Sequence, residues 1–187
     1  MQHVILGMLL VHGPLTLYAV QRQFTAGVSL FYSASFGSIQ RALRQLVDRG
    51  LVSVASPGER GQKPYSITAD GEREWREWMR HPITGSDAET TALAKVFFLG
   101  AVDSAERAAV LSTIRERITA DLAELDGTAD GIDRLDVPAE SAEVLRFQRA
   151  TLDYGIRAHR LALEWVDELD DVAPAAGRIA PQAAVRG

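Results

Sequence analysis

The chain has 187 residues, of which 47% are hydrophobic and 24% charged, with no cysteine and a formal net charge of -5. This composition excludes a disordered or fibrous chain, and the length allows a core that buries roughly 70% of the unfolded surface. Without cysteine, disulfides, thiolate nucleophiles and cysteine-ligated zinc are excluded. The apolar run at residues 4–11 is far shorter than the ~20 residues of a membrane span. We therefore expect a core helix in a cytoplasmic protein without membrane contact.

Charge is distributed unevenly along the chain. Residues 1–80 contain nine Lys or Arg against six Asp or Glu, whereas residues 81–187 contain eleven against nineteen. This asymmetry indicates a basic end that meets an anionic partner and an acidic body. A scattered, solvated surface is the alternative, and the spacing of the basic residues has to decide between the two.

Three helices are predicted in the first 50 residues. The first ends near His12, because Gly13 and the proline after it stop a helix. The second begins at Thr16, a suitable N-cap. The third extends from Ser35 to Gly50, and its apolar residues recur at i, i+3, i+4, i+7 and i+8. The first two form a helix-turn arrangement that leads into the third.

The polar face of the third helix is the strongest functional signal in the chain. Its first half carries Gln and Arg side chains without acids, and these types make bidentate contacts to adenine and guanine edges in a major groove. Small serines near its start allow a partner to approach closely. A solvated polar face is the alternative. The predicted DNA-contacting residues of this helix are Ser35, Ser38, Gln40, Arg41 and Arg44.

A β-hairpin is predicted immediately after this helix. Residues 51–55 and 63–68 are rich in β-branched and aromatic residues, and the Pro- and Gly-containing segment between them is typical of a turn. The tip carries Arg60, Gln62 and Lys63, which are predicted to contact DNA phosphates or a minor groove. Three helices followed by a basic hairpin is the order of a winged helix-turn-helix domain.

The first 75 or so residues also resemble the PadR family of bacterial transcriptional regulators. The matching motifs are Ile5-Leu6-Gly7, Gly13-Pro14-Leu15-Thr16-Leu17-Tyr18, Gly37-Ser38-Ile39-Gln40-Arg41-Ala42-Leu43, Leu46-Val47-Asp48-Arg49-Gly50-Leu51-Val52 and Gly61-Gln62-Lys63-Pro64-Tyr65-Ser66-Ile67-Thr68-Ala69-Asp70-Gly71. The family usually has Tyr-Pro in place of Gln40-Arg41 and His-Gly in place of Thr16-Leu17. The family's tyrosine contact to DNA therefore does not transfer to this chain.

The resemblance implies a dimer that binds operator DNA, commonly a repressor released by a small molecule. Two-fold symmetry then requires an inverted-repeat operator. The prediction is a sequence-specific DNA-binding regulator with no enzymatic activity and no cofactor. A winged-helix module that binds another protein and no DNA is the alternative, and the acidic net charge favours it.

The acidic half is predicted to be helical throughout. Thr68 caps a helix that carries Trp75 and Trp78 and ends at Pro82. Further helices are expected over residues 88–102, 104–125 and 139–171, with Leu93, Val96 and Phe97 pointing inward in the first of them. These boundaries predict a mainly α protein with a winged helix-turn-helix domain at residues 1–82, a helical dimerisation domain at residues 83–172 and a disordered tail at residues 173–187.

The last helix has two apolar stripes on nearly opposite faces. A helix that is apolar on two faces must be covered on both, and in a short chain a partner subunit is the simplest second cover. A helix buried entirely within its own domain is the alternative. The second stripe contains Phe147, Thr151, Tyr154, Ala158, Leu161, Trp165 and Leu169. The first stripe, assigned to the homodimer interface, contains Leu145, Leu152, Ile156, His159, Leu163 and Val166. The pattern by itself leaves open which of the two stripes faces the partner subunit.

Aromatic residues concentrate near the predicted junction of the two domains. A small apolar or aromatic effector is predicted to bind there, because flat aromatic faces stack on planar ligands at low entropic cost. The alternative is that these residues only seal the domains together. They are Trp75, Trp78, Phe97 and Phe98.

No constellation in the sequence is typical of catalysis or metal binding. The four histidines lack a partner at metal-ligand spacing, and His159 is interpreted as a packing residue. The segment Asp126–Gly131 is similar to the start of a calcium loop, but Val137 stands where such a loop needs a bidentate Glu. We therefore predict neither catalytic residues nor a metal site.

Overall fold

The computed structural model describes residues 1–56 and 63–172, except for the side chains of residues 170–172. The disordered tail predicted at residues 173–187 lies outside the described residues. The described part contains seven helices and a two-stranded antiparallel sheet. In chain order these elements are α1 (Gln2–His12), α2 (Leu17–Ala26), α3 (Phe36–Asp48), β1 (Val52–Val54), β2 (Tyr65–Ile67), α4 (Ala69–Arg80), α5 (Ala88–Phe97), α6 (Ser104–Asp133) and α7 (Ala139–Val172).

The N-terminal elements form the predicted winged helix-turn-helix. The predicted capping residue Thr16 accepts a hydrogen bond from the backbone N–H of Ala19 at 3.2 Å and starts α2. Strands β1 and β2 pair with Ser53 opposite Ser66, and an isolated bridge joins Leu15 to β2. The predicted fold class, a winged helix-turn-helix followed by a helical region, is confirmed.

One continuous core joins the N-terminal elements to the helical region. Trp75 of α4 is fully buried and meets the ring of Phe98 edge to face at 6.3 Å between centroids. Both rings pack against α1 at Gly7, where a Cβ atom would lie 2.9 Å from Nε1 of Trp75 and 3.0 Å from the ring of Phe98. The close approach of these rings therefore requires a residue without a side chain at position 7.

Two helix boundaries differ from the prediction. Helix α5 ends at Phe97, and a short 3-10 turn follows at Leu99–Ala101, where the prediction extended the helix to residue 102. Phe97 was expected to point inward, but it is 47% exposed, and Phe98 is buried instead. Helix α6 continues to Asp133 and not to residue 125, because packing against α7 compensates for the low helix propensity of the glycines in its last turns.

Helices α6 and α7 pack side by side in an antiparallel hairpin. Arg149 on α7 donates to Asp133 at the end of α6 at 3.0 Å, and Arg115 near the start of α6 donates to Asp167 on α7 at 2.9 Å. These ion pairs lie partly in solvent and contribute little individually. Buried apolar side chains such as Val166 contribute most of the packing energy between the two helices.

Lys95 lies at the joint between α4 and α5. Its side chain is only 1% exposed, and its Nζ donates to the backbone carbonyl of His81 just after α4. The ammonium also lies 5.8 Å from the centre of the Trp78 ring. Burial lowers the pKa of Lys95 to about 8, because desolvation disfavours the charged form.

This pKa predicts a specific pH dependence of stability. Between pH 8 and 10.5 the unfolded chain retains a proton on residue 95 that the folded chain has released, so the free energy of unfolding rises with pH in this range. From pH 8 to 10 the contribution is about 2 kcal/mol. We expect Lys95→Met to abolish this rise in urea-unfolding experiments, whereas Lys63→Met, at an exposed lysine, retains it. An unchanged slope in the Lys95 variant would refute the assignment.

Candidate nucleic-acid interface

The start of α3 is open to solvent and capped by a serine. The Ser35 side chain accepts a hydrogen bond from the backbone N–H of Ser38 at 3.2 Å, and the Ser38 hydroxyl donates to the Ser35 carbonyl at 2.7 Å. Gly37, between them, has nothing within 4 Å of its Cβ position. A partner is therefore able to approach the first turn of α3 closely, as the serines predicted.

The exposed face of α3 carries side chains without intramolecular partners. Gln40, Arg41 and Arg44 are all exposed, and none of them makes a hydrogen bond or ion pair with another described residue. By contrast, Arg49 at the end of the helix donates to Glu74 at 2.7 Å and to Gln2 at 2.8 Å. Arg49 is therefore engaged within the protein, whereas Arg41 and Arg44 have no partner among the described residues. These two arginines lie with Gln40 in the part of α3 that follows its exposed first turn.

One of the three DNA-contacting residues predicted on the wing, Lys63, lies in the part of the chain that the structure describes. Lys63 is exposed and comes two residues before β2. Arg60 and Gln62 lie within residues 57–62, outside the described residues. Within the described residues, the wing therefore contributes one positive charge, that of Lys63, in addition to the arginines on α3.

An exposed aromatic pair beside α3 was not among the predicted site residues. Tyr18 of α2 is 77% exposed and Phe36, the first residue of α3, is 37% exposed. Their ring centres lie 5.7 Å apart. The sequence contains a signal for this pair, because both residues fall outside the buried stripes of their helices. Exposed aromatic rings at the start of a recognition helix are suited to apolar contact with thymine methyl groups.

The four junction aromatics occupy different environments. Trp75 and Phe98 belong to the core, although Nε1 of Trp75 has no hydrogen-bond partner among the described residues. Trp78 is half-buried and stacks on His3 at 4.9 Å, while Phe97 packs against Phe31 at 5.7 Å. Burial lowers the pKa of His3 to about 4 against the opposing effect of a nearby carboxylate, so the ring stacked on Trp78 is neutral at pH 7.

Two cavities in the described region are lined by other residues. One, of about 260 Å³, lies between α2 and α3 and is bordered by Phe24, Tyr32 and Ile39. The second, of about 140 Å³, lies between α5, α6 and α7. None of the four junction aromatics lines either cavity. Their packing supports the sealing role that the sequence left open, and an effector role for them stays a prediction.

The structure assigns the two stripes of α7 to different surroundings. The stripe predicted to form the dimer interface packs against α6 of the same chain. Ile156 and Val166 are buried there, and Leu145, Leu152, His159 and Leu163 are half-buried. The opposite face is exposed over residues 144–161, where Val144, Phe147, Tyr154 and Leu161 expose between 59% and 75% of their surface. Trp165 and Leu169, at the C-terminal end of the second predicted stripe, instead pack against the core. If α7 forms a dimer interface, the outward stripe is the one available for it.

Across residues 1–56 and 63–172, no group of three or more His, Asp or Glu side chains is arranged to hold a metal ion. None of the helices in this part of the chain combines the length and apolar character needed to cross a bilayer.

Comparison with known proteins finds regulators. Residues 91–172 match the family model "Virulence activator alpha C-term". A probable transcriptional regulator of Mycobacterium tuberculosis, Rv1176c, is 28% identical over 179 residues, which cover 81% of this chain and 86% of that protein. Two solved structures are also similar. Bacillus subtilis PadR in complex with operator DNA is 21% identical over 92% of this chain and 98% of that one (TM-score 0.40), and the Vibrio cholerae virulence activator AphA is 24% identical over 91% and 96% (TM-score 0.37).

The Mycobacterium tuberculosis relative is a probable transcriptional regulator, which agrees with the prediction of a non-enzymatic protein. Bacillus subtilis PadR is thus among the proteins to which this chain is similar, and the motifs in the first 75 or so residues resemble the same family.

Proposed function

From this resemblance to PadR-family regulators, we propose that the protein is a sequence-specific DNA-binding transcriptional regulator. The observation that carries the proposal is the unpartnered, exposed face of α3, where Gln40, Arg41 and Arg44 follow an open N-terminal turn. In helix-turn-helix proteins the N-terminal residues of the recognition helix contact base edges in the major groove. A side chain that is paired within the protein must give up that hydrogen bond or ion pair in order to bind DNA. Gln40, Arg41 and Arg44 have no such partner among the described residues, so they bind without this cost.

The acidic net charge favours the alternative, a winged-helix module that binds another protein. The charge distribution argues against it, since the excess of acids lies in residues 81–187 and residues 1–80 are net positive. A local positive surface is sufficient to attract DNA if the acidic region faces away from it. Exposed aromatic rings beside α3 are compatible with either partner, so the choice between DNA and a protein partner rests on the basic side chains.

The proposal is tested by retention of genomic DNA. Immobilised protein is incubated with fragments of the genome that encodes it, and the retained fragments are sequenced. We expect enrichment of a few fragments that share an inverted repeat with half-site centres about one helical turn (~10 bp) apart. Retention of no fragment would favour the protein-interaction module, and uniform retention of all fragments would exclude sequence-specific recognition.

We assign the DNA-binding role to residues 1–82 and dimerisation to residues 83–172. The outward stripe of α7 supports a homodimer, because Val144, Phe147, Tyr154 and Leu161 follow one another at spacings of three, seven and seven residues along one exposed face. A seven-residue repeat of apolar side chains is the pattern by which helices pair. The interface proposed here is this stripe, in place of the stripe that packs on α6.

We further propose repression that a small planar molecule relieves, as the family resemblance implies. Trp78 and Phe97 retain accessible surface near the junction, whereas Trp75 and Phe98 act as core residues. An effector that weakens DNA binding must itself bind more weakly in the presence of operator, by the same factor. Fluorescence titration of planar aromatic compounds with and without operator measures this reciprocity.

The exposed pair of Tyr18 and Phe36 leads to a prediction about base readout. If Phe36 contacts a thymine methyl group, replacing that thymine with uracil removes one apolar contact worth about 0.8 to 1.5 kcal/mol. We expect single uracil substitutions in the operator to weaken wild-type binding about four- to tenfold at one position per half-site. The Phe36→Ala variant should show no loss at that position.

The matched control is Leu135→Ala, which removes an exposed apolar side chain from the connection between α6 and α7 and should retain the uracil effect. Fluorescence anisotropy with labelled duplexes measures the affinity of the wild type, the Phe36→Ala variant and the control variant for the thymine and the uracil operator. A uracil effect of equal size in wild type and Phe36→Ala would exclude this contact.

A further inference from the structure

The cavity between α5, α6 and α7 has an apolar interior. Its volume is about 140 Å³, and its walls include Ile83, Ala92, Ile114, Ile118 and Trp165. An apolar protein cavity of about 150 Å³ is large enough to hold a benzene molecule. The space therefore fits one six-membered ring, and Trp165 in the wall supplies an aromatic side chain against which the ring can pack.

The polar end of this cavity is formed by α6. Nε of Arg117 donates to both carboxylate oxygens of Asp121 at 2.8 Å, and its Nη1 donates to the carbonyl of Ile83 at 3.2 Å. Both side chains are about one-quarter exposed. The charge of Arg117 is thus compensated inside the protein, whereas a carboxylate oxygen can accept more than one hydrogen bond.

His159 of α7 completes the polar end with a second acceptor. Its Nδ1 lies 2.8 Å from the backbone carbonyl of Gly155, and because a carbonyl only accepts, Nδ1 is the donor. In the neutral ring Nε2 is then an acceptor. Nε2 lies 4.0 Å from Oδ2 of Asp121, so two acceptors face each other at a separation that one donor atom, about 2.8 Å from each, bridges.

The rim adds a further negative charge. Glu89, in the first turn of α5, lines the cavity and has no ion-pair partner within the described ranges. The titratable side chains around the cavity are therefore two carboxylates, one guanidinium and one imidazole. The arrangement favours a ligand that donates hydrogen bonds and carries positive charge over one that accepts them.

We propose that this cavity binds a small single-ring ammonium compound. The ring lies between the apolar walls and Trp165, and the ammonium group bridges Asp121 and His159 with Glu89 at the mouth of the site. This site uses none of the residues assigned to DNA contact, so its test does not depend on the proposed DNA binding.

The experiment is isothermal titration calorimetry of the full-length protein at neutral pH without DNA. The probes are benzylamine, benzyl alcohol and benzoate, which share one ring but carry a cation, a neutral group and an anion. We expect benzylamine to bind at least tenfold more tightly than the other two. Tighter binding of benzoate, equal binding of all three or no binding of benzylamine at millimolar concentration would overturn the proposal.

Two variants and a control locate the site. Asp121→Asn removes the acceptor charge and frees Arg117, so it should weaken benzylamine at least tenfold and improve benzoate. Ala162→Leu fills the cavity from α7 and should abolish binding of every probe. Asp126→Asn, on the same helix but paired with Arg160 at 3.4 Å outside the cavity, should bind benzylamine as the wild type does.

Circular dichroism establishes that each variant retains the helical fold. If Asp121→Asn alone loses its fold, Ala162→Leu still decides the location. Unchanged benzylamine affinity in a folded Asp121→Asn or Ala162→Leu variant would place any binding elsewhere and refute the site.

Discussion

The Arg41→Ala/Arg44→Ala double variant should lose about 2 to 6 kcal/mol of operator-binding free energy. Each arginine that reads or flanks a base contributes about 1 to 3 kcal/mol, and neither side chain has an intramolecular partner among the described residues that would offset the loss. The affinity should fall roughly 30-fold or more. Preference for the retained operator over unrelated DNA should weaken as well, because the lost contacts are those that distinguish bases.

The control removes two arginines of equal charge from another surface. Arg134, just after α6, and Arg160, on α7, are exposed and each pairs with an aspartate of α6, so their double alanine variant should bind operator within about twofold of the wild type. Lys63→Ala should behave differently again, weakening all sequences alike and lowering the salt slope by about one unit. Anisotropy titrations at several salt concentrations separate these outcomes. Wild-type affinity in the Arg41/Arg44 variant would exclude α3 as the recognition helix.

Replacing Tyr154 and Leu161 with glutamate should convert the proposed dimer to a monomer. Both side chains project from the outward stripe of α7, and a two-fold interface repeats every substitution on the partner. Each buried apolar side chain contributes about 1.5 to 3 kcal/mol, so the dimer dissociation constant should rise by a factor of about 1000 or more. Operator affinity should fall with it, since two linked half-site contacts become one.

The control for added negative charge is the Ala105→Glu/Ala108→Glu variant, which places two carboxylates at the exposed start of α6. Acidic residues are favourable there because they face the positive end of the helix dipole. Light scattering at several protein concentrations should show this control as a dimer and the Tyr154/Leu161 variant as a monomer. A folded Tyr154→Glu/Leu161→Glu variant that remains dimeric would assign the interface to another surface.

Local patterns in the sequence were sufficient to predict where the N-terminal helices and strands lie. Thr16 and Thr68 were predicted as capping residues, and each accepts the expected backbone hydrogen bond in the structure. These signals act over three or four residues, so they need no knowledge of the rest of the chain. The solvent-facing side of α3 followed for the same reason, because helical periodicity fixes which residues share a face.

Contacts between distant residues decided the features that the sequence left open. Periodicity identified two apolar stripes on α7 without distinguishing them, and the packing of α6 placed Ile156 and Val166 inside and Tyr154 and Leu161 outside. In the same way, only the tertiary fold determined that Phe98 and not Phe97 enters the core beside Gly7.

The cavity beside Asp121 and His159 has the same origin, because its walls come from three helices whose residues are up to about 80 positions apart. Sequence by itself determined the order of the elements and the faces of the helices, which are properties of short segments. The tertiary structure determined which faces meet, because burial depends on long-range packing that no local pattern encodes.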